Sequence, residues 1–214
     1  MKRFLKYIKS TNGQSLAEFA VTTAMMATLA TTAAPKFSGV GEGAKEKKTL
    51  ADIDKIMKSA NNFYNAKVTS DGRGRFPGQN KYNETVPVSG AYATEAACLA
   101  HIKGDAATFT TFESENASSW ASVFSTINPD ATAPTGHHIS LTEDDDGDTS
   151  FDEYVGAEEF LNEFGGNAVK SPFQDGHYIY TVIAGSGSGT SSISPILFIA
   201  DLESAKNFHK KLQP

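Results

Sequence analysis

From Phe19 to Ala34 the chain carries no charge, no proline and no glycine, only Ala, Thr, Met, Leu, Val and Phe. A helix over these positions spans roughly 24 Å at 1.5 Å per residue, and adding Gln14 to Glu18 brings it to about the length of a bilayer span. Further on, Leu50, Ile53, Met57, Ala60 and Tyr64 recur at spacings of three and four, with Ile56 and Phe63 beside them. Asp52, Asp54, Lys55 and Lys58 are assigned to the opposite, polar face. This is the pattern of an amphipathic helix over residues 49–66 laid on a globular head. Between the two, "SGVGEGAKEKK" (38–48) mixes glycines with charges and reads as a weak or extended patch after Pro35. A proline removes a backbone hydrogen bond and bends or loosens a helix.

The pattern changes period in the C-terminal third. "HYIYTVIA" (177–184) and "SPILFIAD" (194–201) are β-rich runs joined by the polar "GSGSGTSSIS", which predicts an antiparallel hairpin. Asp71-Gly72, Gly74 and Pro77-Gly78 punctuate the exit from the amphipathic helix. Arg73 and Arg75 in that exit read as exposed basic loop residues. Residues 80–140 offer less. A short helix including Glu95 to His101 would hold Cys98, and Phe109, Phe112, Trp120 and Phe124 suggest strands or a helix over the same core. The fold class is therefore α+β: a long N-terminal helix packed on a small antiparallel sheet.

Charge narrows the partners. The 214-residue chain has a formal net charge of -6, and its first 13 residues hold Lys2, Arg3, Lys6 and Lys9 with no acid. The remainder is more acidic still, a poor match for nucleic acid, which requires a basic surface. The single cysteine, Cys98, excludes an internal disulfide and a multi-cysteine zinc site. His101, His137 and His138 are too scattered for a metal trio. No G-x-S-x-G, P-loop, dinucleotide fingerprint or H-E-x-x-H occurs, so no enzyme is expected.

One residue resists the plain readings of the N-terminus. Glu18 stands at the entrance of the apolar run, where neither a secretory signal peptide nor a simple anchor places an acid, because a carboxylate near a bilayer core costs several kcal/mol unless paired. "Gly13-Gln14-Ser15-Leu16-Ala17-Glu18-Phe19" resembles the class III signal of type IV pilins and type II secretion pseudopilins. "Tyr64 … Asp71-Gly72-Arg73-Gly74-Arg75-Phe76-Pro77" is similar to the end of the long helix in major pseudopilins. "Ser171-Pro172-Phe173 … Asp175-Gly176-His177-Tyr178-Ile179-Tyr180" is similar to a strand entry of their heads.

The resemblance implies a 1–13 leader, a 14–36 hydrophobic helix and a 37–214 head. A prepilin peptidase would cut between Gly13 and Gln14, and the new N-terminus would be methylated. Glu18, fifth in the mature chain, would neutralise a neighbour's N-terminal ammonium, and Pro35 would loosen the helix about one bilayer-length after the cut. It further implies a homo-oligomeric helical filament, a type IV pilus or secretion pseudopilus, built by an assembly platform and ATPase. The head would be periplasmic on a single inner-membrane pass before assembly, and the filament periplasmic or extracellular afterwards. Gln14 stands where the family more often has an aromatic.

An acidic stretch adds a second site. In "Thr142-Glu143-Asp144-Asp145-Asp146-Gly147-Asp148-Thr149-Ser150-Phe151-Asp152-Glu153", oxygen ligands alternate around a glycine with a glutamate six places later. That favours calcium on Asp144, Asp146 and Glu153, completed by Asp148 or a carbonyl, over a solvated acidic loop. "GAEEFLNEFG" (156–165) would supply a following helix. The alternative reading of the whole chain is a monomeric, membrane-anchored periplasmic protein that binds calcium or another ligand.

Overall fold

The computed structural model describes residues 2–87, 91–104, 119–124, 153–173 and 176–214. Helical backbone runs from Lys2 to Asp71 (α1). The chain divides into two compact units, Met1–Glu46 and Lys47–Pro214, the second being the head. The patch expected to be weak or extended at 38–48 is helical, and Pro35 does not end the element. Each glycine costs a helix only about 1 kcal/mol, and Lys48 at the end of the stretch pairs with Asp52 one turn further on at 2.9 Å. A Cβ added at Gly41 or Gly43 would meet nothing within 4 Å outside the helix's own backbone. The amphipathic segment expected at 49–66 likewise continues to Asp71.

After α1 the head contains α2 (Glu95–Lys103), β1 (Ala121–Ser122), α3 (Glu153–Glu163), β2 (Tyr178–Ile183), a 3-10 turn (Gly189–Ser191), β3 (Ile196–Asp201) and β4 (His209–Leu212). The strands form one antiparallel sheet in the order β1-β2-β3-β4. The expected hairpin is its centre, registered from Tyr178 opposite Asp201 to Ile183 opposite Ile196. Val86 extends the β1 side of β2 by pairing with Val182. The loop joining β2 and β3 is held down: Tyr82 donates its hydroxyl to the carbonyl of Gly187 at 2.6 Å, and Gly185 N–H donates to Tyr82 O at 2.8 Å.

Successive strand residues face opposite sides, and here both sides are covered. Tyr178, Tyr180, Val182, Leu197 and Ile199 pack with Ile53, Ile56 and Ala60 of α1 and Phe160 of α3. Ile179, Ile183, Phe198 and Ala200 pack with Cys98 and Ile102 of α2 and with Trp120. This is why β2 and β3 read as unbroken apolar runs rather than as alternation. Each large side chain so removed from water contributes about 1.5–3 kcal/mol. Trp120 and Phe124 join the core as the sequence suggested, whereas Phe109, Phe112, His137 and His138 lie outside the described residues.

Two assignments on α1 change. Leu50, placed in the apolar stripe, is exposed, and Asp52, placed on the solvent face, is buried. Both lie at the start of the head, where the stripe turns toward the segment before β2. Helix α2 forms as expected, with Thr94 capping Ala97 N–H at 3.2 Å. Helix α3 lies close against the turn after α1: a side chain at Gly156 would place its Cβ 1.9 Å from the Tyr180 hydroxyl and 2.9 Å from Gly78 Cα. Only glycine permits this approach.

Candidate functional site

The first candidate is the N-terminal half of α1. Gly13, Gln14, Glu18 and Pro35 all lie on it. Leu16, Phe19, Val21, Met25 and Met26 are each between 54% and 73% exposed, the inverse of a folded core, and Glu18 is exposed among them. The run Phe19–Ala34 holds five threonines, and among the described residues no helix is long and apolar enough to cross a membrane. Four of these hydroxyls bond back to their own helix. Thr22 donates to Glu18 O at 3.0 Å and Phe19 O at 2.9 Å, Thr23 to Phe19 O at 2.7 Å, Thr28 to Met25 O at 2.9 Å, and Thr31 to Ala27 O at 3.1 Å. A hydroxyl bonded to its own helix needs no outside partner, which lowers the cost of placing the helix in an apolar setting.

The metal candidate is divided. Asp144, Asp146 and Asp148 lie outside the described residues, and Glu153 is the first residue of α3. The helix expected after the acidic stretch is therefore present, beginning three residues earlier than its quoted sequence. Among the described residues, no group of three or more His, Cys, Asp or Glu could hold a metal ion.

The arginines after α1 are not a free basic loop. Arg75, expected to be exposed, is 8% exposed. Its fork meets Glu159 of α3 with two bonds, Nη2 to Oε1 at 2.7 Å and Nη1 to Oε2 at 3.0 Å, and Nη1 also donates to Gln79 O at 2.8 Å. Gly78 N–H donates to the same carboxylate at 2.9 Å. Such bidentate pairing combines strength with fixed geometry. Arg73 places its guanidinium carbon 3.7 Å from the ring centroid of Tyr82.

Sequence reading also missed a polar network where α1, the segment before β2 and the end of β3 meet. Asp52 accepts from Lys48 at 2.9 Å and Lys55 at 3.0 Å, and the Tyr178 hydroxyl donates to it at 3.5 Å. Asp201, opposite Tyr178, accepts from the Ser171 hydroxyl at 2.5 Å and from the N–H groups of Glu203 and Ser204 at 3.2 Å each. Among the described residues no cation reaches it. Burial pushes the Asp201 carboxyl up to about 6, against the pull of those donors. His177, 2% exposed, is pushed down to about 4 by burial, and its Nε2 finds no partner among the described residues. Ser171 gives its proton directly to Asp201 and accepts from Phe173 N–H at 3.2 Å, the wiring of a fastened turn rather than of a nucleophile held by a base. The Asp-Gly and Ser-Pro punctuation near residue 171 was the sequence signal for this turn.

On the other face, Trp120 donates its indole N–H to the Tyr92 hydroxyl at 2.9 Å, and Tyr92 is hydrogen-bonded in turn to His101 Nδ1. Cys98 beside them is fully buried, and burial first, then Glu95, pushes its thiol up to about 12. A thiol held so far from ionisation is a packing residue. Against known proteins, the chain matches no family model, no curated protein and no solved structure.

Proposed function

We propose that this chain is a structural filament subunit, a type IV pilin or secretion pseudopilin, cut between Gly13 and Gln14 and polymerised through its N-terminal helix. The observation that carries this reading is the helix whose large apolar side chains, Leu16, Phe19, Val21, Met25 and Met26, stand exposed around a single acid, Glu18. Such a surface calls for a covering partner. The acid selects which: in lipid alone it is costly, whereas in a bundle of like helices it can meet a neighbour's ammonium. The internally bonded threonines suit a helix that leaves the bilayer for a protein filament better than a permanent anchor. The head, with its core closed on both faces of the sheet, supplies the folded body of the subunit.

Mass spectrometry of the mature N-terminus tests this. We expect a chain beginning at a methylated Gln14, and accumulation of the precursor in Gly13→Val. A mature chain beginning after Ala33 or Ala34 would identify an ordinary signal peptide and refute the filament reading.

A further inference from the structure

We propose that Asp201 and His177 are an opposed pair of buried titrating groups whose contributions to the stability of the head run in opposite senses across mild acid, each offsetting the response of the other. The two sit at adjoining strand ends. His177 directly precedes β2, whose first residue, Tyr178, is registered with Asp201, and Leu202 N–H donates to His177 O at 3.1 Å. Asp201 is 1% exposed and His177 2%. Neither has a charged partner of opposite sign among the described residues.

The charged groups around Asp201 do not rescue it. From α1 comes Asp52, an acid already held by Lys48 and Lys55. From β2 comes the Tyr178 phenol, whose own ionisation is opposed first by burial and then by Asp52 and Asp201. From the turn after β3 comes Glu203, which acts against the Asp201 charge. The stabilising contacts are neutral donors: the Ser171 hydroxyl and two backbone N–H groups. His177 is set by burial alone.

The two responses run in opposite senses. The folded head binds a proton at Asp201 near pH 6, where the unfolded chain binds it only near 3.8, so acidification through that window stabilises the fold. The unfolded chain protonates His177 near 6.5, whereas the folded head resists until about 4, so acidification through that window destabilises it. Each shift of two units or more corresponds to about a hundredfold change in the folding equilibrium. The windows overlap from about pH 6 to 4, and there the two effects offset. A head with only one of these groups would gain or lose that factor on a modest change of pH.

The test is urea unfolding of the full chain in detergent, followed by fluorescence of its one tryptophan, Trp120, which is wholly buried in the head. The midpoint is measured from pH 7.5 to 4 for the native protein, Asp201→Asn and His177→Gln. Relative to the native profile, Asp201→Asn should lose stability on acidification and His177→Gln should gain it, each by about a hundredfold in equilibrium constant across the window. Parallel profiles for all three would overturn the proposal. If a variant does not fold, NMR titration of the native protein decides. A His177 ring still neutral at pH 5 with an Asp201 carboxyl titrating near 6 supports it, and titration at the ordinary values of 6.5 and 3.8 overturns it.

Discussion

The two units of this chain handle apolar surface in opposite ways. In the head, β2 is buried at all six positions, with α1 and α3 on one face and α2 with Trp120 on the other. In the N-terminal unit, side chains of the same chemistry stand in the open, and the polar groups are the ones folded away, as threonine hydroxyls on their own backbone. Hydrophobicity alone does not decide burial within a chain. A segment apolar outside and self-satisfied inside fits the filament role proposed above. In the head, by contrast, Arg75 meets Glu159 within the fold and burial holds His177 neutral.

The largest blow to this division should come from the head's buried ion pair. Arg75→Ala leaves the Glu159 carboxylate facing the turn without its cation, and breaking such pairs costs about 3–5 kcal/mol. We expect a matching fall in the urea midpoint. The double variant Arg75→Met/Glu159→Leu should recover most of it; no recovery would mean that the geometry of the turn, and not the stranded charge, sets the cost.

A smaller effect is expected from calcium. We propose that Asp144, Asp146, Asp148 and Glu153 bind it, adding to the head a tie that neither a disulfide nor the core supplies. Binding at ten times Kd would stabilise by about 1.4 kcal/mol through mass action. Thermal unfolding in millimolar calcium against chelator should show the rise, and Asp144→Ala/Asp146→Ala should abolish it. An equal rise in that variant would return the stretch to a solvated loop.

The smallest effect on stability belongs to Glu18→Ala. Exposed on the N-terminal unit, it should change the unfolding midpoint of the head by less than about 0.5 kcal/mol. Filament yield should nevertheless collapse, while membrane insertion and cleavage proceed. Normal filaments from Glu18→Ala would remove the pairing role assigned to this residue and with it the sharpest distinction between the two units.

What could be read from the sequence follows from how local each determinant is. The β2–β3 hairpin was legible because apolar runs and a Gly/Ser loop lie within 25 residues, and α2 because its helix-forming residues, Glu95 to His101, are contiguous. Strand β1 has two residues and no pattern of its own. Strand β4, "HKKL", has two lysines among its four residues; Lys210 pairs with Asp54 of α1 and Lys211 with Glu95 of α2, partners that no local rule supplies. Asp52 and Arg75 were placed in solvent for the same reason. A charged residue reads as exposed until its partner is known, and theirs include Tyr178 and Glu159, 126 and 84 positions away. The continuity of α1 through 38–48 was missed because glycine and proline were read as breakers, whereas each glycine costs a helix only about 1 kcal/mol.

The long reach of α1 into β3 and β4 also orders events in time. Ile53 and Ile56 share a core cluster with Leu197 and Ile199, and Asp54 meets Lys210 from 156 positions away. During synthesis the first helix leaves the ribosome long before those strands exist, and at about 5–20 residues per second the wait lasts on the order of ten seconds. Through that interval the amphipathic half of α1 has nothing to fold against. Any factor that shields residues 49–66 during the delay acts on a surface that vanishes once the sheet closes.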